Sequence, residues 1–491
     1  MRHFRWVVPL VAAAMVLAGT AARAAPAPGE EGFHLTLYNS NFGVVREVRQ
    51  IKLPEKVATI QFRNVAAGLD PRTVRFESLT DPDGTYVLEQ NYQYDLVSTD
   101  KILEAYIDHE ITVVDPEGKE LRGTLLAHRR GGPILDTDTG IRILGWNVRR
   151  YNLDRLPEGL ITKPMLVWKM RTAKPGAHLA KVTYQTFDLN WEADYIATLS
   201  PDETRMDLDG WVTLKNECGV TFPEARVKLI AGNVRGPERK KEGYAMAGGG
   251  SFGDIMERKK VEEKAFFEYH LYTLPYPTTL ANNEVKQVQL LSAAEVPVEQ
   301  EYVVMRPMAK QRRYDRKEPD PWKPRLGDMP CKVRVYVVFE NKKQAHLGMA
   351  LPKGKVRVYK CDQADDQAEF IGQDSIDHTP RDETARLYIG DAFDIVAERA
   401  VTDYKSGRDD HRLGWCDVSV RFRVRNHKDR AIAVRVREPL AEESNRTWRI
   451  VKESRKHTKV DASTIEYALT VPKDGEAEVT YTVHYFSYSS Y

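Results

Sequence analysis

Two short stretches concentrate residue types that do chemistry. Residues 374 to 383, DSIDHTPRDE, place Asp374, Asp377, His378, Asp382 and Glu383 within ten positions. Carboxylates and an imidazole at that density can ligate a divalent cation or supply an acid and a base for hydrolysis. Residues 187 to 199, FDLNWEADYIATL, set Trp191 and Tyr195 among Asp188, Glu192 and Asp194. That mixture suits a sugar, because aromatic faces stack on pyranose rings while carboxylates accept hydroxyl protons. Both stretches also have a plainer reading. Asp, Thr, Pro and His ahead of ARLYIGDAF are turn-forming residues, and a Trp and a Tyr leading into a strand are core packing. The candidate site residues are therefore Asp374, Asp377, His378, Glu383, Trp191 and Glu192, with none assigned as catalytic, cofactor-binding or metal-ligating.

Two basic stretches invite a different chemistry. Residues 306 to 325 hold eight Lys and Arg against three acids, with Tyr314 and Trp322 interleaved, a pattern suited to a polyanion and equally to a solvated linker. In VRFRVRN, residues 420 to 426, Arg421, Arg423 and Arg425 alternate with Val420, Phe422 and Val424. Alternation of this kind is the wet side of a sheet with one buried face, where Arg also guards exposed edges. No H-E-x-x-H, Walker glycine loop or EF-hand loop occurs, so no cofactor is implied and these familiar catalytic machineries lack support.

The elements that must carry these residues are strands. LTLYNSNFGVVREVRQIKL, DGWVTLKNE, ARVKLIAGNV, VRVYVVFEN, GKVRVYK, IAVRVREPL and AEVTYTVHY are short, alternating and bounded by Gly, Pro, Asn or Asp. The fold class expected is mostly β: several β-sandwich-like units with a small SH3-like barrel insertion and one short helix. The helix falls in STDKILEAYI, residues 98 to 107, where Ser98, Thr99 or Asp100 caps an apolar stripe. Very short strands between Gly turns from Glu110 to about Met165 give the small barrel. WVTLKNECGVTFPEARVKLI, VYVVFENKKQAHLGMALPKGKVRVY and VRFRVRNHKDRAIAVRV each run strand, Asn, polar turn, strand, sharing Asn216, Asn341 and Asn426. Asn suits a turn through left-handed backbone and local hydrogen bonds, and the repetition implies two or three sandwich units. The expected divisions are 25–97, 98–165, 166–400 with a mobile loop at 236–264, and an Ig-like sandwich at 401–491.

The N-terminus has the form of a secretory signal: Arg2 and Arg5 precede an apolar run from Trp6 to Ala18 and small residues ending Ala22-Arg23-Ala24. Cleavage after Ala24 is expected, giving a periplasmic or secreted protein; the other reading is an N-terminal core helix. The run is shorter than the roughly 20 residues a membrane-spanning helix needs, and no later segment approaches that length, so no transmembrane segment remains after cleavage. The chain has 73 Lys and Arg against 71 Asp and Glu, and the signal carries three of the bases and no acid. A near-neutral mature chain has no general pull toward nucleic acid. Among four cysteines, Cys331 and Cys361 bracket two alternating runs, and a hairpin folded at positions 346 and 347 sets them opposite one another. In an oxidising compartment that register predicts a cross-strand disulfide, with two reduced core cysteines as the other reading.

Several motifs in order carry a family resemblance. Trp191 with Tyr195, the run Trp211 to Asn216, the run Tyr272 to Gln287, and Arg425 to Lys428 resemble the bacterial family called domain of unknown function 4139. The similarity extends from about Leu35 to Tyr485. That family is related to the C-terminal half of mucoidy-inhibitor-like proteins, whose long coiled coil has no counterpart here. The resemblance implies a β-rich, exported bacterial protein and brings no reaction and no catalytic residues. The function expected is binding or scaffolding in the cell envelope, with an envelope protein or a cell-surface polysaccharide as partner; a hydrolase acting on cell-surface glycans or peptides is the alternative.

Overall fold

A computed structural model describes residues 31–94, 97–129, 131–157, 160–235, 261–306, 327–362, 367–408, 414–440 and 446–487. The expected signal peptide, most of the 236–264 loop and the basic stretch beyond Arg306 lie outside the described residues. The alternation read from the sequence becomes strands with one buried face. Leu189–Leu199, for example, buries every odd-numbered residue and exposes or half-exposes the others.

One five-stranded plan recurs four times along the chain. In each unit the first two strands form an antiparallel hairpin. The chain then crosses to a facing sheet for the third and fourth strands, which pair antiparallel, and crosses back for a fifth strand that pairs antiparallel with the second. Unit 1 is Gly32–Tyr38, Phe42–Leu53, Val57–Arg63, Met165–Thr172 and Gly176–Phe187. Unit 2 is Leu189–Leu199, Arg205–Asn216, Phe222–Ala231, a fourth strand in two pieces (Tyr269–Thr273 and Thr278–Leu280), and Glu284–Pro297. Unit 3 is Glu299–Met305, Gly327–Glu340, Gly354–Cys361, Ala368–Ile376 and Thr384–Asp391. Unit 4 is Ile395–Arg408, Gly414–Asn426, Ile432–Pro439, Thr464–Val471 and Gly475–Ser487.

The units interlock by strand sharing. The third strand of unit 2 lies parallel to the first strand of unit 1 (Leu35 opposite Val227). In the same way the third strands of units 3 and 4 lie parallel to the first strands of units 2 and 3 (Tyr195 opposite Val356, Val304 opposite Val436). Sheets therefore belong to two units at once, and their inner faces merge into extended cores. One runs through units 1 to 3 and includes Phe62, Trp168, Tyr184, Trp191, Tyr195 and Phe339; another spans units 3 and 4 around Val304, Phe422, Tyr467 and Tyr481. Close approach at a junction explains Gly354, where a β-carbon would stand 2.2 Å from the Ala193 carbonyl oxygen.

Crossing between sheets strips backbone groups of ladder partners, and buried ones must find others. In units 2 to 4 an Asn at the end of the second strand supplies them. Asn216 Nδ2 donates to the carbonyls of Val220 (2.8 Å), Leu280 (3.1 Å) and Ala281 (3.0 Å), and its Oδ1 accepts from the Cys218 N–H. Asn341 does the same with Met349, Thr379, Pro380 and the Gly348 N–H. Asn426 repeats it with Arg430, Val471, Pro472 and the Lys428 N–H. Each amide thus ties the outgoing crossing of its unit to the returning one. The repeated Asn is turn chemistry, as its type implied, and also a staple between crossings.

These crossings correct the disulfide expectation. Gly327–Glu340 and Gly354–Cys361 are not a hairpin but lie in facing sheets, with Cys331 opposite Ala397 and Cys361 opposite Ala368. Cys331 and Cys361 are both free thiols. Facing sheets stand about 10 Å apart, beyond the roughly 7 Å that a disulfide tolerates between α-carbons.

Residues 64 to 164 are inserted between the third and fourth strands of unit 1. They contain strands Arg75–Ser78 and Thr85–Gln93, which extend the sheets of unit 1. They also hold the helix Thr99–Ala105, capped by the Ser98 hydroxyl, and a five-stranded antiparallel sheet over residues 110–152 with its own small core around Leu103, Ile111, Val113, Leu125 and Leu135. Among the described residues no helix is long and apolar enough to cross a membrane.

Candidate functional site

The acidic stretch at 374–383 is the returning crossing of unit 3. Asp374 lies near the end of strand four, Ala368–Ile376, and its carboxylate accepts from the backbone N–H groups of Ser375 and Tyr388 (2.8 and 2.7 Å), the latter at a bulge in the neighbouring strand. Asp377 is almost fully exposed, 3.9 Å from the Lys353 ammonium. His378 Nδ1 accepts from the Lys353 N–H at 3.1 Å; burial and then the Lys353 charge lower its pKa. Asp382 takes left-handed backbone (φ 68°), and the N–H of Asp382 and the carbonyl of Glu383 bond the backbone of Asn341. The backbone of this stretch is thus spent on a turn, and its side chains do not face a common cavity. Among the described residues, no group of three His, Cys, Asp or Glu side chains could hold a metal ion.

Trp191 and Glu192 project to opposite faces of their strand. Trp191 is 1% exposed, donates its indole N–H to the Ile230 carbonyl and packs near Tyr272. Glu192 is exposed, accepting from Asn190. No sugar ring reaches that indole. The structure does not bring the 374–383 residues and the Trp191 pair to one place.

The arginine face at 421–425 is a ladder of cross-strand ion pairs. Arg421 meets Asp328 (3.3 Å), Arg423 meets Glu478 (2.6 Å) and Arg425 meets Glu398 (2.6 Å). The neighbouring sheet repeats the arrangement, with Glu301 and Glu466 engaging Arg386, Arg435 and Arg437. Opposite charges on adjacent strands neutralise the face, which leaves no excess positive stripe for a polyanion.

The site that the structure does build lies in unit 1. A groove of about 450 Å³ is lined by Phe33, Glu47 and Arg49, by Asn64 and Lys163, and by the unit 2 crossing at Gly219–Thr221. Strand Phe42–Leu53 has Val45, Glu47, Arg49, Ile51 and Leu53 on its inward face. Two charged residues thus occupy core-facing positions. Glu47 is 4% exposed, 3.4 Å from Arg49, and its Oε2 has no hydrogen-bond partner among the described residues. Burial pushes its pKa up to about 7, with Arg49 opposing only in part. Arg49 lies over the Phe62 ring and donates to the Arg63 carbonyl at 2.8 Å.

That carbonyl belongs to strand Val57–Arg63, an edge of its three-stranded sheet. It is the third strand of unit 1, the position that in units 2, 3 and 4 is flanked by a parallel strand. The groove is thus bordered by an unpaired strand edge on one side and a neutral-leaning carboxyl on its floor. The groove can hydrogen-bond an extended chain and offer one polar group to whatever enters. Glu47 is the only acid among its lining residues, whereas glycoside hydrolysis ordinarily takes a pair of carboxylates. The signal for it is present in the sequence: EVR at 47–49 puts Glu and Arg in phase with Val45, Ile51 and Leu53.

No protein-family model, no curated protein and no solved structure matches this chain.

Proposed function

We propose that this is an exported bacterial envelope protein that works by binding and scaffolding another surface component, an envelope protein or a cell-surface polysaccharide. The resemblance to the domain of unknown function 4139 family and the signal-like N-terminus favour that location. The observation that carries the function is the interlocked array: four units hold one another by strand addition and merge their cores, while among the described residues the candidates at 374–383, at Trp191 and at 421–425 are taken up in turns, cores and ion-pair ladders. Such a body displays surfaces at fixed spacing. The hydrolase reading draws on Glu47, a groove carboxyl whose pKa burial raises to about 7, but lacks a second carboxylate among the lining residues.

Chemical crosslinking in the native envelope, followed by capture of the tagged full chain, tests the proposal. The expected result is one specific envelope partner and a mature N-terminus near Ala25 by intact mass. A chain retained whole in the cytosol refutes the location. Turnover of envelope glycan or peptide that disappears in Glu47→Gln refutes the binding role in favour of hydrolysis.

A further inference from the structure

The geometry points to the outer edge of strand Val57–Arg63, with the adjoining groove, as an acceptor site for an extended segment of another protein, added parallel to that edge. This deepens the binding role proposed above and rests on it. The four-fold plan makes the case. Third strands in units 2, 3 and 4 each take a parallel neighbour, over five, seven and four residue pairs. The third strand of unit 1 occupies the same place and, among the described residues, pairs only with Met165–Thr172.

Its edge is suited to pairing. The Thr172 N–H bonds the Lys56 carbonyl, and alternation along an antiparallel ladder turns the backbone groups of Val57, Thr59, Gln61 and Arg63 to the open side. The Arg63 carbonyl confirms that phase, since it is reached by a side chain, Arg49, from outside the ladder. Edge strands are ordinarily guarded by Pro, Lys or inward charges; here Val57, Thr59 and Gln61 are neutral and the one charged member of the set, Arg63, stands at the end of the strand. Ala58, Ile60 and Phe62 alternate with them and pack inward, so the donor needs alternating apolar residues. In the three filled positions those are Leu35 and Leu37, Tyr195 and Ala197, and Tyr302 and Val304. A donor N–H or hydroxyl passing over the groove floor would also find the unpartnered Glu47 Oε2.

Among the described residues, the strands that act as donors within the array are not open for a second copy to give. The first strands of units 1, 2 and 3 are paired on both sides. The first strand of unit 4, Ile395–Arg408, which would lie beside a following unit, is already paired along 397–401 with residues 327–331. The occupant assigned to this edge is a segment of a different protein, extended and free of its own sheet, as in other cases of strand addition.

The probe is a labelled peptide with the sequence of Ala193–Leu199, the longest donor within the array, titrated into the full chain. Saturable binding is expected, together with new hydrogen-exchange protection at the amides of Val57, Thr59, Gln61 and Arg63. Thr59→Pro and, independently, Gln61→Pro remove an outward N–H at an edge where proline is tolerated; each should keep the melting temperature within a few degrees and weaken binding at least tenfold. Absence of saturable binding, or equal binding by both variants, overturns the assignment. So does protection of those amides in the free protein, which would mean the chain fills its own edge. Dimerisation abolished by Thr59→Pro overturns it in favour of a second copy. An envelope partner captured equally well by wild type and Thr59→Pro leaves the scaffolding role standing and removes the edge. Peptide binding intact with no partner captured does the reverse.

Discussion

Replacing Asn216 by Asp changes one NH₂ group for one oxygen and leaves the volume of the side chain nearly untouched. The amide donates two hydrogens among three carbonyls, those of Val220, Leu280 and Ala281 at 2.8 to 3.1 Å, so one hydrogen is shared. In the Asn216→Asp variant both donors are gone, and an oxygen faces three oxygens in a site that is 0% exposed. Two lost hydrogen bonds at about 1 kcal/mol each, and about 1 to 3 kcal/mol for buried carbonyls left unpaired, give a loss of roughly 3 to 5 kcal/mol. At about 2 to 4 °C per kcal/mol for a cooperative block of this size, melting should fall by about 6 to 20 °C. A proton on the new carboxyl restores one donor, so its pKa in the folded protein lies above that in the unfolded chain. Its penalty is then smallest at acid pH and grows as pH rises through the folded value. Urea denaturation followed by tryptophan fluorescence, at pH 5 and pH 7, measures both effects. Because Asn341 and Asn426 make the same set of bonds, Asn341→Asp and Asn426→Asp should cost comparable amounts. A loss below about 1 kcal/mol at all three positions, or a penalty that shrinks as pH rises, would refute the stapling role.

Glu47 should make the protein lose stability as pH rises. Its folded pKa of about 7 lies above the ordinary 4.5, so its contribution is whole below about 4.5 and fades up to about 7, by roughly 3 to 3.5 kcal/mol at full effect; Glu47→Gln should flatten that part of the stability curve, and an unchanged curve rejects it. Arg399 and Glu438, 5% and 1% exposed and joined at 2.8 Å, form a buried pair in unit 4. Glu438→Gln should cost about 3 kcal/mol, while the double change Arg399→Met, Glu438→Leu should cost far less; a double-mutant cycle in urea decides between them. Burial pushes the thiols of Cys218 and Cys331 up to about 12, so a thiol reagent at about pH 8 should label both only on unfolding. Non-reducing peptide mapping should show Cys331 and Cys361 unlinked. Gly354→Ala should open the junction between units 2 and 3, visible as faster hydrogen exchange along Leu189–Leu199.

Period-two patterning fixes which face of a strand is buried, and it identifies strands such as Leu189–Leu199 and the solvated, ion-paired side that carries Arg421, Arg423 and Arg425. It does not say which strand lies alongside. The disulfide register fails on that point, because two alternating runs joined by a long turn fit a hairpin and a crossing between sheets equally well. Asn216, Asn341 and Asn426 betray the repeat, yet their remote partners, Leu280, Thr379 and Val471, lie 64, 38 and 45 residues away. Unit 1 is hidden in the sequence because Leu53-Pro54 stands where the others have Asn, and because residues 64–164 separate its third strand from its fourth. Proximity in sequence also misleads at 374–383, where acids gathered by a turn serve its backbone. Glu47 and Arg49 are visible as charges in an inward phase, but their groove needs the unit 2 crossing to close it.

The direction of strand sharing sets an order on synthesis. In units 2 to 4 the third strand is clasped by the first strand of the unit before it, never of the unit after. When Gly354–Cys361 leaves the ribosome, or any pore threaded from the N-terminus, its neighbour Leu189–Leu199 is already out, and the same holds for Phe222–Ala231 and Ile432–Pro439. Each of these third strands thus emerges beside a partner that is already out, while the first strand of each of units 1 to 3 keeps an open edge until the next unit's third strand arrives. A chain threaded in the opposite sense would leave the third strands waiting instead of the first.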